Sequence, residues 1–558
     1  MTQDAGAEKS WPLFSSLASW RPAFLPADLI AGLTLAAIAI PEQMATARLG
    51  GFEPQIGFFA FIAGSVGFAL LGSNRFLSCG ADSTITPIFA GGLATLAASG
   101  TPDYQALAIA LALIVGAMLV LSGIFKLGGI ANLLSVPVTV GFLAGISVHI
   151  LVSQLPGVLG IEEPSGPTLE RIGVIAQHLG EANPYTISIG FGVLAAVMIS
   201  EAISAKIPGA LIGLVAATLA VIVAGLESKG VKVVGAVPAA LPKPTLPDIA
   251  PEQWVRLVPL AFVIAIVIMV QTAATTRSFP SDPDKPADVD GDFLGAGVGN
   301  ILAGIFGAFP VDASPPRTGI VSETGGKSQL SGLAAAAIVL ALLAFGTGLL
   351  RRVPNAALAG ILLFVALRII RVKQIATVYR QSRAEFLLIL ATAALIIVLP
   401  IQQGAALGII LSLLHGIWST MRAELTEFDR VPGTTIWWPA SPHMQGERVP
   451  GVAVVGLQAP LSFLNAPGFR SDVEKIMRAS QPKLLVIEAS GMVEIDFTAA
   501  QVLLEMFKAC REQGTSIAVA RLESTRAQDA FERFGLYEAL SRDHVFHSVD
   551  EAVRKLGQ

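Results

Sequence analysis

The chain has 558 residues, 53% of them hydrophobic and 14% charged, with a mean hydropathy of +0.67. Soluble globular chains carry about 25% charged residues, so a purely water-soluble protein is excluded and most of this chain belongs in lipid. The formal net charge of −4 averages unlike parts; no nucleic-acid partner is expected.

Glycine at 55 and proline at 34 suit membrane helices that pack closely or break on purpose. Cys79 and Cys510 are the only cysteines. Neither has the neighbours of a metal site, and a disulfide between them is not expected. No cofactor is implied. Met1 to Ser10 is polar and acidic without an apolar core, so no cleavable signal is expected there.

In chain order, residues 1–27 read as a polar N-terminal segment ending in an interfacial stretch, in which Trp11, Trp20 and Arg21 suit the headgroup level. Apolar segments follow at Asp28–Ala47, Gln55–Leu71, Phe76–Ala98, Tyr104–Phe125, Ala131–Leu155, Tyr185–Ile203 and Ile207–Leu226. A polar interlude, Glu162–Glu181, separates the fifth from the sixth. These make a first repeat over 28–226. Residues 227–253 form a linker in which Val237–Asp248 is too rich in proline for a helix. A second repeat, 254–421, holds Trp254–Thr276, Phe293–Phe309, Pro316–Gly325, Leu330–Leu350, Ala356–Ile370, Glu385–Leu399 and Ile401–Trp418. Most are long enough to span, at about 20 residues per crossing.

The third segment of each half is interrupted. Phe309–Glu323 places adjacent prolines, an arginine and two acids between apolar runs; the second proline suits a helix's first turn, so a short helix is expected from Pro316. Phe76–Pro87 answers it, with Asp82, Ser83 and Thr84 as capping types. Corresponding broken segments in two halves indicate an inverted-repeat carrier whose site lies at the repeat interface. Two helix starts aimed at one pocket, with free N–H groups and positive dipole ends, make an anion site without metal or cofactor. An odd number of segments per half makes the halves opposite in orientation; the even total puts both termini on one side.

Residues 422–558 differ: charges become dense and apolar runs shorten. Val452–Leu457, Leu484–Ile487 and Ser516–Arg521 read as strands, and Asp472–Ala479, Ala499–Arg511 and Ala527–Phe534 as helices. The alternation implies a small α/β domain.

These motifs resemble the sulfate permease (SulP) anion transporters, also called solute carrier family 26. Ile40-Pro-Glu-Gln-Met-Ala-Thr-Ala47, Phe76-Leu-Ser-Cys-Gly80, Gly297-Val-Gly-Asn-Ile301, Gly307-Ala-Phe-Pro-Val311 and Ser314-Pro-Pro-Arg-Thr318 are similar to that family's membrane motifs, in order. Leu461-Ser-Phe-Leu-Asn-Ala466 and Ile495-Asp-Phe-Thr-Ala499 resemble motifs of its C-terminal STAS domain. The resemblance implies a polytopic α-helical membrane protein with a seven-plus-seven inverted repeat (UraA-like) and a cytoplasmic α/β STAS domain. It also implies a homodimer in the cell (inner) membrane with both termini cytoplasmic. Carried over by position, the substrate-binding residues are Glu42, Gln43 and Thr46 from the first segment and Ala81, Asp82 and Ser83 from the third. Gln271 from the eighth and Ser314, Arg317 and Thr318 from the tenth complete the set. Thr498 is the regulatory candidate, at the position phosphorylated in related anti-sigma antagonists; its alternative role is the cap of the helix from Ala499.

The chain departs from the family pattern at several positions. The family often has glutamine where Glu42 stands and a carboxylate where Gln271 stands, and Asp312 adds an acid. Glu42, Asp82 and Asp312 would thus face one Arg317. Two like charges about 6 Å apart at an effective dielectric near 20 repel by roughly 3 kcal/mol, so a bare anion is opposed unless a carboxylate is protonated. The expectation is proton–anion symport of sulfate, bicarbonate or a related anion, with Glu42, Asp82 and Asp312 as proton-coupling candidates.

Other readings stand beside this one. Arg317 as a partner for Asp312 or Glu323, Glu42 as a partner for Arg48, Asp82 as a cap, and Gln271 as an interhelical hydrogen-bond donor are the structural alternatives. His149 reads as a core histidine, and Lys126 and Glu201 as snorkelling charges. A carrier of dicarboxylates or of neutral or protonated nucleobase-like solutes, and a non-transporting STAS anchor, are the functional alternatives. An enzyme is not expected, since no nucleophile–base pair or metal cluster is recognisable.

Overall fold

The computed structural model describes residues 13–17, 20–129, 135–164, 166–204, 207–235, 241–282, 284, 286–421, 425–440 and 446–557. Trp11, the opening Ala131 of the fifth segment and the first part of the proline linker lie outside them. The chain divides into two compact units, Met1–Leu413 and Leu414–Gln558.

The first half of the membrane unit comprises α1 (Leu25–Leu49), α2 (Pro54–Leu71), β1 (Cys79–Gly80), α3 (Thr86–Ala94), α4 (Pro102–Ile124), α5 (Val136–Leu159), α6 (Thr168–Gln177), α7 (Pro184–Ile203) and α8 (Gly209–Ala224). The second half repeats the order with α9 (Pro251–Ser278), α10 (Val289–Ile305), β2 (Asp312–Ala313), α11 (Pro315–Glu323), α12 (Leu330–Phe345), a short α13 (Thr347–Leu350), α14 (Asn355–Ile369), α15 (Val372–Gln381), α16 (Arg383–Val398) and α17 (Ile401–Met421). Among the described residues, seven helices are long and apolar enough to cross a membrane, with shorter apolar helices beside them. Proline opens α2, α4, α7, α9 and α11, where its missing N–H costs nothing and its fixed φ favours the first turn.

Both halves contribute to two bundles. α1, α2, α4, α9, α10 and α12 pack around α3 and α11; α5, α7, α8, α14 and α16 form the other bundle. Small residues let backbones meet. A Cβ on Gly67 of α2 would lie 2.3 Å from the Gly299 nitrogen of α10, and one on Gly360 of α14 would lie 2.3 Å from the Gly190 carbonyl of α7. Outward faces carry exposed apolar residues such as Val223 at 84% and Phe345 at 91%, the pattern lipid selects.

β1 and β2 pair antiparallel, Cys79 opposite Ala313 and Gly80 opposite Asp312, so α3 and α11 leave the crossing in opposite directions. Buried carboxylates fasten the flanking loops. Asp292 of α10 accepts from Ser73 N (2.9 Å), Ser73 Oγ (2.8 Å), Asn74 N (2.8 Å) and Thr276 Oγ1 (2.5 Å). Asp28 of α1 accepts from Lys327 N (2.6 Å), Ser328 N (3.0 Å) and Ser328 Oγ (2.7 Å). A buried acceptor with several donors is stable because each desolvated group is satisfied.

Some details differ from the sequence reading. The tenth-segment helix starts at Pro315, not Pro316, because Thr318 N already reaches the Ser314 carbonyl at 2.9 Å. The third-segment helix starts at Thr86, after a turn in which Thr84 N donates to Asp82 Oδ1 at 2.8 Å. The amphipathic helices α6 and α15 occupy matching places in the two halves; the first falls in the polar interlude and the second just after Ile370.

The second unit is a six-stranded sheet in the order β4-β3-β5-β6-β7-β8. Its strands are β3 (Leu425–Arg430), β4 (Trp437–Pro439), β5 (Val452–Leu457), β6 (Leu484–Glu488), β7 (Ser516–Ala520) and β8 (Val545–Phe546). β5 to β8 run parallel; β3 is antiparallel to β4 and β5. Period-two alternation sets the layers: Leu485 and Ile487 face one cluster, Leu484 and Val486 the other. The first cluster takes residues of α18 (Ala466–Ser480), α19 (Phe497–Glu512), α20 (Thr525–Arg533) and α21 (Leu536–Leu540); the second packs α22 (Val549–Leu556).

Candidate functional site

α1 passes the β1–β2 crossing with Pro41 inside the helix and Glu42 and Gln43 just beyond it. The Gln43 amide pairs with the backbone of Ala81: Nε2 donates to the carbonyl at 3.0 Å and Oε1 accepts from the N–H at 2.8 Å. In the other half Gln271 Nε2 of α9 donates to the Ala313 carbonyl at 2.8 Å. Each glutamine holds the backbone ahead of its own half-helix, so Gln271 is at once a backbone clamp and part of the cavity wall described next.

The two bundles enclose a cavity of about 460 Å³. Its wall on the first bundle includes Glu42, Asp82, Ser83, Thr84, Gln271, Ser314, Pro315 and Pro316; its wall on the second includes Phe142, Glu201, Phe364 and Arg368. Of the sequence-predicted residues, Glu42, Asp82, Ser83, Gln271 and Ser314 reach the cavity. Gln43, Thr46, Ala81, Arg317, Thr318 and Asp312 are buried behind them. Thr318 Oγ1 accepts from Ser78 N at 3.0 Å, tying α11 to the chain entering β1. Asp312 Oδ1 accepts from its neighbour Ala313 N at 2.6 Å, while Oδ2 has no partner among the described residues.

Arg317 is fully buried. Its Nη1 lies 3.0 Å from Glu42 Oε1 and donates to the Ala81 carbonyl at 3.1 Å; Nε and Nη2 meet no partner among the described residues. The Glu42 side chain, 13% exposed, stands between that guanidinium and the cavity. So Arg317 pairs with Glu42 rather than with Asp312 or Glu323, and Arg48 donates instead to Asn355 Oδ1.

The α11 tip differs from the expected row of free donors. Its first two residues are prolines without N–H groups and Thr318 N is already bonded, which leaves the Arg317 N–H in that turn. The positive end of α11 therefore acts through its dipole and the Arg317 side chain. Ser314 Oγ, on the cavity wall, is buried without a partner among the described residues.

The sequence reading took Glu201 for a snorkelling charge; it pairs with Arg368 at 3.1 Å on the cavity wall. An ionisable residue inside the last turn of an apolar helix was the signal. His149 Nδ1 lies 3.0 Å from Thr168 Oγ1, joining α5 to α6 away from the cavity. Thr498 is exposed on the first turn of α19 and does not cap it. Asp496 does, accepting from Ala499 N at 2.8 Å, because its carboxylate sits at the N-cap position.

Comparison with known proteins agrees with this architecture. The sulfate permease family pattern matches residues 25–392 and the STAS domain pattern residues 443–552. A probable sulfate transporter of Mycobacterium tuberculosis is 32% identical across 95% of each chain, and the putative sulfate transporter YvdB of Bacillus subtilis is 26% identical across 94% of this chain and 96% of that one. The solved structure of the murine Slc26a9 anion transporter in the inward-facing state superposes with a TM-score of 0.90 at 21% identity, covering 100% and 96% of the two chains. The transmembrane domain of a cyanobacterial bicarbonate transporter, BicA, superposes at 0.61 and 22% identity, over 71% and 98%. With its two bundles of inverted repeats and a C-terminal STAS domain, the chain belongs to the sulfate permease family of multi-pass membrane anion transporters.

Proposed function

We propose that the protein is a secondary carrier of small inorganic anions, sulfate or bicarbonate among them, that moves the anion together with a proton. The anion sits between the starts of α3 and α11, beside Ser83, Ser314 and Arg317. The names of the relatives support sulfate, and that of the BicA structure supports bicarbonate. The protein works as a homodimer in the cell membrane with both termini cytoplasmic.

The observation that carries this reading is the contact between Glu42 and Arg317. A buried guanidinium needs a negative partner, and Glu42 supplies it while no anion is bound. An incoming anion competes with Glu42 for the same charge. Once Glu42 takes a proton its hold on Arg317 weakens, and Nε and Nη2 of the guanidinium, without partners among the described residues, offer a fork for oxyanion oxygens. Proton and anion thus bind with positive coupling, and by linkage each raises affinity for the other. Asp82 on the same wall adds repulsion that a proton also relieves, and Asp312 lies behind.

The test is uptake of radiolabelled sulfate and of bicarbonate into proteoliposomes with and without an inward proton gradient. The gradient should raise both initial rate and accumulation. If it changes neither, proton coupling is wrong; if neither anion enters above protein-free liposomes, the substrate class is wrong.

A further inference from the structure

Among the described residues, the charged groups lining the cavity are Glu42, Asp82, Glu201, Glu323, Arg368 and Arg371. Arg317 is sealed behind Glu42. An anion entering the cavity therefore meets Arg368 and Arg371 as its open cations. Arg368, near the end of α14, pairs with Glu201, near the end of α7, at 3.1 Å; their side chains are 42% and 34% exposed.

From this we infer that Arg368, with Arg371 on the same cavity, forms an outer oxyanion-binding position on the access route. Glu201 restrains it by competing for the guanidinium. This rests on the carrier reading above. The Glu201–Arg368 pair is not needed to join its two helices, since α14 and α7 already meet backbone to backbone at Gly360 and Gly190. A partly exposed ion pair holds only weakly, so a small anion can displace it. Four carboxylates share the cavity with these two arginines, so an anion is held there only where a guanidinium faces it, and Arg368 and Arg371 supply that local positive charge. The guanidinium fork suits two oxygens of a tetrahedral or planar oxyanion. The anion then passes from Arg368 to the deeper Arg317 when a proton reaches Glu42.

The experiment compares initial uptake of sulfate, and separately bicarbonate, by proteoliposomes holding wild type, R368Q, R368K or E201Q, at one pH and one proton gradient. At low ionic strength R368Q should raise the apparent KM on the order of threefold to tenfold, R368K, which keeps the charge but not the fork, should fall between R368Q and wild type, and E201Q should lower KM. All differences should shrink as salt rises from about 20 to about 300 mM, where screening shortens to a few Å. A pair that serves only the fold predicts R368Q and E201Q shifting together, with R368K no rescue; that outcome, or no shift in KM, overturns the outer site while leaving wild-type transport standing. Wild type that carries neither anion overturns the carrier reading and this one together.

Discussion

Gln43 of α1 and Gln271 of α9 make the same kind of contact in opposite halves of the membrane unit: each holds the backbone that leads into its own half-helix, at Ala81 and at Ala313. The clamp at Ala81 has two hydrogen bonds and that at Ala313 one. Both strand ends are thereby fixed where they cross, and the half-helices with them.

Gln43→Ala leaves the Ala81 N–H buried without its acceptor, a loss of about 1–3 kcal/mol. Gln271→Ala removes one donor and should cost about 0.5–1.5 kcal/mol. Thermal unfolding of the two variants in detergent, measured side by side, should rank Gln43→Ala as the less stable.

Asp292 accepts three hydrogen bonds through Oδ1 and one, from the Thr276 hydroxyl, through Oδ2. Asp292→Asn keeps the first three, and the hydroxyl can turn to accept from the new amide. Asp292→Ala orphans all four donors. The alanine variant should lose roughly 3 kcal/mol or more and the asparagine variant about 1 kcal/mol or less, read as unfolding temperature and yield of folded protein.

Much of this arrangement was readable from the chain. Two adjacent prolines before an arginine have no place inside a helix, so Pro315 and Pro316 mark a helix start wherever the fold puts them. Asp82 to Thr84, expected as caps, instead form the turn just ahead of the other, which starts at Thr86 without a side-chain cap. The sequence set Glu42, Asp82 and Asp312 against Arg317, but which of them pairs with it was not readable, because Glu42 reaches it only through the crossing of two remote segments. The clamp role of Gln43 was hidden for the same reason. α6 and α15 carry apolar residues at helical spacing, such as Leu169, Ile172 and Ile175, but in stretches too short and polar for a search tuned to membrane spans. In the STAS domain the strands β5, β6 and β7 stood out as apolar runs, whereas β3, with Glu427, Asp429 and Arg430 among its six residues, did not.

Removing Arg317 leaves Glu42 facing the cavity near Asp82 with no counter-charge. Arg317→Ala should abolish anion uptake and destabilise the protein by up to about 3 kcal/mol at neutral pH. Glu42→Gln in the same chain should recover most of the stability and none of the transport. Unfolding temperature and uptake measured on the single and double variants separate the two effects, and recovery of uptake in the double variant would count against Arg317 as an anion ligand.

Thr498 is exposed on the first turn of α19, where a phosphate would meet the positive helix end but also the Asp496 carboxylate. If Thr498 is a regulatory position, mass spectrometry of protein from its native cell finds the phosphorylated residue, and Thr498→Glu changes uptake without lowering the unfolding temperature. Unmodified Thr498 throughout, with wild-type uptake by Thr498→Glu, removes it from regulation.

If Glu42 carries the proton that accompanies the anion, sulfate and protons must enter together. A pH-sensitive dye trapped inside proteoliposomes reads this directly when an inward sulfate gradient is imposed with the membrane voltage clamped to zero by potassium and valinomycin. Wild type should acidify the lumen as sulfate enters, and Glu42→Gln should admit sulfate with little or no acidification. Equal acidification per sulfate in wild type and Glu42→Gln would contradict the account.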